Sequence, residues 1–472
     1  MPDRSHGQVA PRGLINTPRQ RSYDGRFGRL FQNLAGQPAH DPSNENHQNE
    51  LRRIAEAMRE GAGEGTDNAR IPAGYVYLGQ FVDHDITFDP TSQLGRRNDP
   101  DGLINFRTPR FDLDSVYGSG PSDEPFQYAH GGQHDGFALL IEDRGGPDLP
   151  RNNDTPKRAL IGDPRNDENG IISQLQVAFL SLHNRLMDDL VGELADPPTR
   201  FDRAQRTAQW HYQWVVAHDF LRRVIGDELH DRLLVSTAEP DGSRREGVRL
   251  RHYRHKTNPY LPVEFSVAAY RYGHSQVRDE YSINKSFRRR LFDVGREDFR
   301  GFQPLRPGWH ASWPFFFALD DQGPQLSRAL DSSLALTLTT LQGVTGDAAD
   351  LPLRNLQRGA ALGLPSGQAV AAEMGEPPLA DADLAPAPAG RAPLWFYILR
   401  EAQVLHAGEH LGPVGGRIVG ETLLGLLRAD PQSYLSLEPA WTPTLPARGG
   451  DPRAFDMSDL LTYAVPDQVR RF

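Results

Sequence analysis

The chain contains no cysteine. That absence removes disulfides, iron–sulfur clusters, zinc–thiolate sites, thiolate-ligated iron and cysteine nucleophiles together. Any bound metal must be held by histidine, carboxylates or carbonyl oxygens. Lysine is scarce as well, with Lys157, Lys256 and Lys285 the only three. Arginine therefore carries the positive charge, which reads as a compositional bias and not as a basic patch. The formal net charge of −10 argues against a general nucleic-acid binder. Long hydrophobic runs are also missing: no stretch approaches the roughly 18 apolar residues of a membrane helix, so no membrane span is expected. The first 29 residues carry positive charge without the apolar core of a secretory signal. The expectation is a cytoplasmic protein or one exported by a non-classical route. Strand signals are few, the best being RREGVRLRHYR (244–254), read as one hairpin.

What the chain does have is helical periodicity. Residues 171–190 place Ile171, Leu175, Ala178, Leu182, Leu186 and Leu190 at spacings of three and four, the mark of an amphipathic helix. The pattern returns over 203–226, 394–407 and 415–428, the last stopped near Pro431. Residues 376–393 and 439–450 are rich in proline and read as long loops. Residues 1–50 are polar and read as an extension lying over the surface or partly loose. Chemistry-bearing segments run from about 80 to 358, and dividing the rest would split them. The fold expected is therefore mainly α: a single large helical domain over 51–472 with little β structure.

Four segments carry candidate chemistry. In GYVYLGQFVDHDITFDP (74–90), a helix would put Gln80, Asp83 and His84 on one face and turn Asp85 about 100° away. Taken alone it fits a solvated acidic helix end or a hydrolase metal site. In RTPRFDLDSVYGSG (107–120), Thr108, Arg110, Asp112 and Asp114 alternate, so their oxygens can converge on a hard cation such as calcium. An ordinary Asp-rich turn fits equally well. In IGDPRNDENGIISQLQ (161–176), Arg165 and Glu168 stand at a helix entrance, where Asp167 and Glu168 also suit the positive end of the dipole. In EFSVAAYRYGHSQV (264–277), His274 follows an apolar helical stretch with Arg271 three residues earlier. That setting suits either a satisfied core histidine or an iron-bound imidazole with a cation close by.

Their order decides between these readings. The sequence resembles the animal-type haem peroxidases of the peroxidase–cyclooxygenase superfamily. GQFVDHD is similar to that family's distal-histidine motif and TPRFDLDSVYGS to its calcium loop. DPRNDEN followed by LHNRL is similar to its catalytic-arginine motif, and YRYGH to its proximal-histidine motif. LPLRNLQRGAALGLPS (351–366) is similar to the segment behind the proximal histidine. The resemblance runs from about 70 to 430.

The resemblance implies haem b as cofactor, with His274 ligating iron and Asn355 accepting a hydrogen bond from its other ring nitrogen. His84 would be the distal base, Gln80 its neighbour, and Arg165 the catalytic arginine. Arg271 would face a haem propionate, and Asp83 and Glu168 would form ester links to the haem. Calcium would be held by Asp85, Thr108, Asp112, Asp114 and the Arg110 carbonyl. Hydrogen peroxide would be one substrate, and a halide, thiocyanate or small phenolic donor the other. Asn169 stands where one branch of the family has a methionine that makes a sulfonium link, so that link is excluded here.

Rival readings follow from the same residues. A fatty-acid dioxygenase of this superfamily would carry a radical-forming tyrosine where this chain has Arg271, with Tyr270 and Tyr272 flanking it. A haem-binding or adhesive protein without catalysis is disfavoured by the presence of His84, Arg165 and Gln80. A non-haem hydrolase leaves His274 and Asn355 unexplained.

Overall fold

The computed structural model describes residues 27–59, 65–88, 105, 107–240, 242, 244–255, 259–292, 298–340 and 346–472. Helices dominate them: α1 (Glu45–Ala57), α2 (Gly74–Ile86), α3 (Gly170–Asp189), α4 (Pro197–Trp214), α5 (Leu351–Ala361), α6 (Leu394–His406) and α7 (Pro413–Ala429), with shorter helices between them. The sheets among the described residues are five two-stranded pairs. The mainly helical fold is therefore as the sequence implies.

The caps explain where several helices begin. Asp196 precedes the Pro197–Pro198 start of α4 and its side chain accepts from Thr199 N. Asp350 does the same for α5, accepting from Leu353 N. At α3 the cap is Asn169, whose side chain accepts from Ile171 N and Ile172 N. Asp167 and Glu168, which the sequence offered for that role, are turned to other work. The helix expected over 203–226 is continuous in path, but its middle, Val215–Phe220, winds as a π-helix before Leu221–Ile225 resumes.

Helix α2 is buried on nearly every side. Leu78, Phe81, Val82 and Ile86 are all fully enclosed, which suits a central helix and not an amphipathic surface one. It packs on α3, which packs on α4, while α1 packs on α5 and α6 on α7. A single hydrophobic cluster runs from Phe27 to Val465.

Two expectations are corrected. Residues 27–34 are not a loose extension: Phe27, Leu30 and Phe31 are buried, and Phe27–Gly28 pairs with Leu261–Pro262. The buried carboxylate of Glu264 accepts from Leu30 N and Phe31 N, so the backbone there is tied down. The earlier residues of that segment lie outside those described. The hairpin is also shifted, pairing Leu234–Ala238 with Arg244–Val248. Its first strand continues a helix and carries no alternation for sequence reading to catch, and 249–254 leaves the ladder.

Candidate active site

The candidate residues lie on two walls that pack against each other. One is α2, carrying Gln80, Asp83 and His84, with the turn Asp163–Asn169 beside it. The other is the 3-10 segment Ala269–His274, backed by α5 with Asn355. Sequence reading expected His274 on a longer helix; the chain instead makes a short turn at Val263–Ser266 and a 3-10 helix that ends at His274.

On the first wall His84 is buried, and its Nδ1 lies 2.7 Å from Asn166 Oδ1. Burial lowers its pKa, Arg165 lowers it further, and Glu168, Asp163 and Asp83 partly offset the two. The imidazole is thus held neutral, as a proton acceptor must be. Arg165 is fixed by Asp163, whose Oδ2 accepts from Nη2 at 2.8 Å and whose Oδ1 accepts from Nε at 3.1 Å. The same Nη2 donates to the carbonyl of His84 at 3.0 Å, which ties the guanidinium to α2. Burial alone would push the Asp163 carboxyl up, but Arg165 and Arg107 hold it well below the usual carboxylate range. Gln80 Nε2 donates to Glu168 Oε2 at 3.1 Å, and Asn169 Nδ2 lies 3.4 Å from Gln80 Oε1. Asp83 Oδ1 accepts from Thr87 Oγ1 at 2.9 Å.

On the second wall His274 Nδ1 and Asn355 Nδ2 are 2.9 Å apart. In this arrangement Asn355 donates, the reverse of the expected direction. An imidazole that ligates through Nε2 carries its proton on Nδ1 and needs the amide oxygen, a half-turn of the same side chain. Trp395 stands edge-on to His274 at 6.4 Å and donates from Nε1 to the carbonyl of Arg271.

Sequence reasoning missed Arg354, one residue before Asn355. Burial and the neighbouring Arg271 lower its pKa to about 10, opposed by Glu168. Two neighbouring guanidiniums favour an anionic group beside them, and the carboxylates of a haem would suit that place. The residues present fit haem in their chemistry: an imidazole on each of the two walls, and the neighbouring guanidiniums of Arg271 and Arg354.

The candidate cation loop also assembles. Carboxylate oxygens of Asp85, Asp112 and Asp114 lie within 4.8 Å of one another. Burial and Asp114 raise the Asp112 pKa to about 7, and burial with Asp112 raises that of Asp85. Thr108 Oγ1 donates to Asp112 Oδ2 at 2.8 Å. The Arg110 side chain turns away toward Asp430, at 4.0 Å. Arg107, unanticipated, spans Asp114 and Asp163. With all four ionised, Asp85, Asp112, Asp114 and Asp163 would exceed Arg107 and Arg165 by two negative charges, which a divalent cation would balance.

The turn bearing Arg165 and Glu168 is braced from outside. Arg151 makes a two-pronged pair with Asp167 at 2.6 and 2.7 Å, both side chains buried. The segment 298–302 then clamps its backbone: Gly301 N donates to Glu168 O at 2.9 Å and Phe302 N to Asp167 O at 2.7 Å, while Gly170 N donates to Phe299 O at 2.7 Å. A Cβ on Gly301 would stand 1.6 Å from the Asp167 carbonyl oxygen, so only glycine permits this approach.

Comparison with known proteins bears on the family and the fold. The family model for animal haem peroxidase matches residues 91–384, a span that includes Arg165, His274 and Asn355. Chorion peroxidase from Drosophila melanogaster is 28% identical over 283 residues, covering 57% of this chain and 33% of that protein. The chain therefore spans about a third of the length of this curated relative. In fold it is similar to peroxidase A from Dictyostelium discoideum, with TM-score 0.61 and 16% identity over 97% of this chain and 99% of that one. It is also similar to a fatty acid alpha-dioxygenase from Arabidopsis thaliana, with TM-score 0.58 and 15% identity over 92% and 77% of the two chains. The family match, which covers more than half of the chain and falls on the later motifs in their order, places this chain in the animal haem peroxidase family.

Proposed function

We propose that the protein is a haem peroxidase that reduces hydrogen peroxide and oxidises a halide, thiocyanate or a small aromatic donor. The observation that carries this reading is the pairing of a neutral, buried His84 with an Arg165 tied to the same helix. Bound haem, ligated by His274, would supply the electrons and the iron that peroxide reduction needs. The chain's own residues do the rest. His84 accepts a proton from one peroxide oxygen and returns it to the other, and Arg165 offsets the charge that develops as the bond between them breaks. Gln80, held by Glu168, helps place the small molecule. Arg271 and Arg354 take the propionates. Asp83 and Glu168 are the carboxylates for ester links to the macrocycle.

His84→Ala and Arg165→Ala should each slow the reaction with peroxide by about 10²- to 10⁴-fold while haem stays bound. Stopped-flow rates equal to wild type in both variants would remove this reading. The dioxygenase alternative gains nothing from Arg271, whose Nε donates to Ser266 O at 3.2 Å. Peroxide-triggered oxygen uptake with linoleate would nevertheless reveal that activity.

Calcium is proposed for the loop of Asp85, Thr108, Asp112 and Asp114, with the Arg110 carbonyl completing the set. Because Asp85 adjoins His84, prolonged chelation should lower the thermal midpoint and perturb the haem spectrum together. Active protein found free of calcium by metal analysis would return the loop to an ordinary turn.

A further inference from the structure

Asn166 stands in a chain of hydrogen bonds that ends on a backbone carbonyl. Gln176, on α3, places Nε2 3.3 Å from Ser115 O. A carbonyl can only accept, so that end of the amide must be the nitrogen, and Gln176 Oε1 faces the other way. Oε1 accepts from Asn166 Nδ2 at 2.8 Å, which turns Asn166 Oδ1 toward His84 Nδ1 at 2.7 Å. An amide oxygen cannot donate, so the proton between them belongs to His84 Nδ1. Asn166, Gln176 and Ser115 are all 0% exposed, and water does not compete with these contacts. The lone pair of the imidazole is then left on Nε2.

We propose that Asn166 is a positioning residue that holds His84 in its Nδ1–H tautomer, so that Nε2 is the proton acceptor. Gln176 acts behind it by fixing which way the Asn166 amide points. The proposal rests on the peroxidase reading of His84 and deepens it. It gives position 166 a role in the proton transfer, although its side chain touches no substrate. Without the Asn166 oxygen, a proton on Nδ1 would be buried and unmet. It would move to Nε2, where the imidazole can no longer accept.

The test uses holoprotein and two readouts. In the ferrous carbon monoxide complex, an Nε2–H donor aimed at the bound ligand lowers the CO stretching frequency, and a lone pair there does not. Asn166→Leu should add or shift to a lower-frequency CO band and slow the reaction with peroxide by about 10- to 100-fold, the range for such supporting contacts. Gln176→Met keeps Asn166 but frees its amide to turn, and should give two CO bands with a smaller loss of rate. It serves if Asn166→Leu does not fold. A wild-type CO band in both variants overturns the proposal, whether or not the rate falls, because a slow enzyme with an unchanged band has lost only structure. A His84→Ala variant that reacts with peroxide as fast as wild type would instead strike the reading underneath.

Discussion

His274→Ala should yield folded protein that gains no Soret band when haem is supplied. No cysteine can take over as ligand, and His84 is engaged at Nδ1 by Asn166 on the other wall. Truncation also removes the atom to which Asn355 is joined, leaving a buried amide without its partner. The defect should lie in iron ligation and not in folding, because His274 is only half-buried and ends its 3-10 helix. Far-ultraviolet circular dichroism should therefore match wild type. Imidazole added in solution should restore part of the Soret band by entering the space left behind. A variant that keeps the wild-type band and full peroxide reactivity would place the iron elsewhere.

The second large effect should come from a residue that touches no ligand. Arg151→Met leaves the Asp167 carboxylate buried without its two-pronged partner, a loss of about 3–5 kcal/mol in comparable buried pairs. Burial already raises the Asp167 pKa to about 6 in spite of Arg151, so the pair only partly recovers the cost of leaving water. It follows that Arg151→Met with Asp167→Leu should be less destabilised than Arg151→Met alone. Denaturant unfolding of the three proteins measures this. A double variant as weak as or weaker than the single one would mean the turn depends on the charge pair itself. Because the turn carries Arg165 and Glu168, the single variant should also react more slowly with peroxide under conditions where it is still folded.

The sequence exposed those parts of the site that lie within a few residues of each other. Spacing on one helix put Gln80, Asp83 and His84 together, and the apolar repeat of 171–190 located α3. The alternation in 108–114 put Asp112 and Asp114 together, while Asp85, whose carboxylate lies near theirs, came only from the family resemblance. What stayed hidden depends on partners far along the chain. Asn166 meets His84 across 82 positions, and Arg107 meets Asp163 across 56. Arg354 owes its setting to Arg271 and Glu168. No periodicity encodes such contacts, since they arise when helices pack. The hairpin was misplaced for a related reason: β-propensity describes a half-buried pleated surface more than a local preference, and Leu234–Ala238 shows no alternation. Residues 27–34 looked loose because the polar composition of 1–50 hid four core side chains, Phe27, Leu30, Phe31 and Leu34.

The glycine clamp has a consequence for the order of events on the ribosome. The turn that aims Arg165 is completed by Gly301, which is 136 positions later in the chain. At about 5–20 residues per second, roughly 7–27 s separate the emergence of the two. During that interval α2 and α3 can form and pack, but the carbonyls of Asp167 and Glu168 still lack the amides that hold them. Asn355 and Arg354 arrive later still. Cofactor capture therefore belongs after synthesis of the second half of the chain, and a nascent chain arrested before residue 298 should be helical yet unable to retain haem.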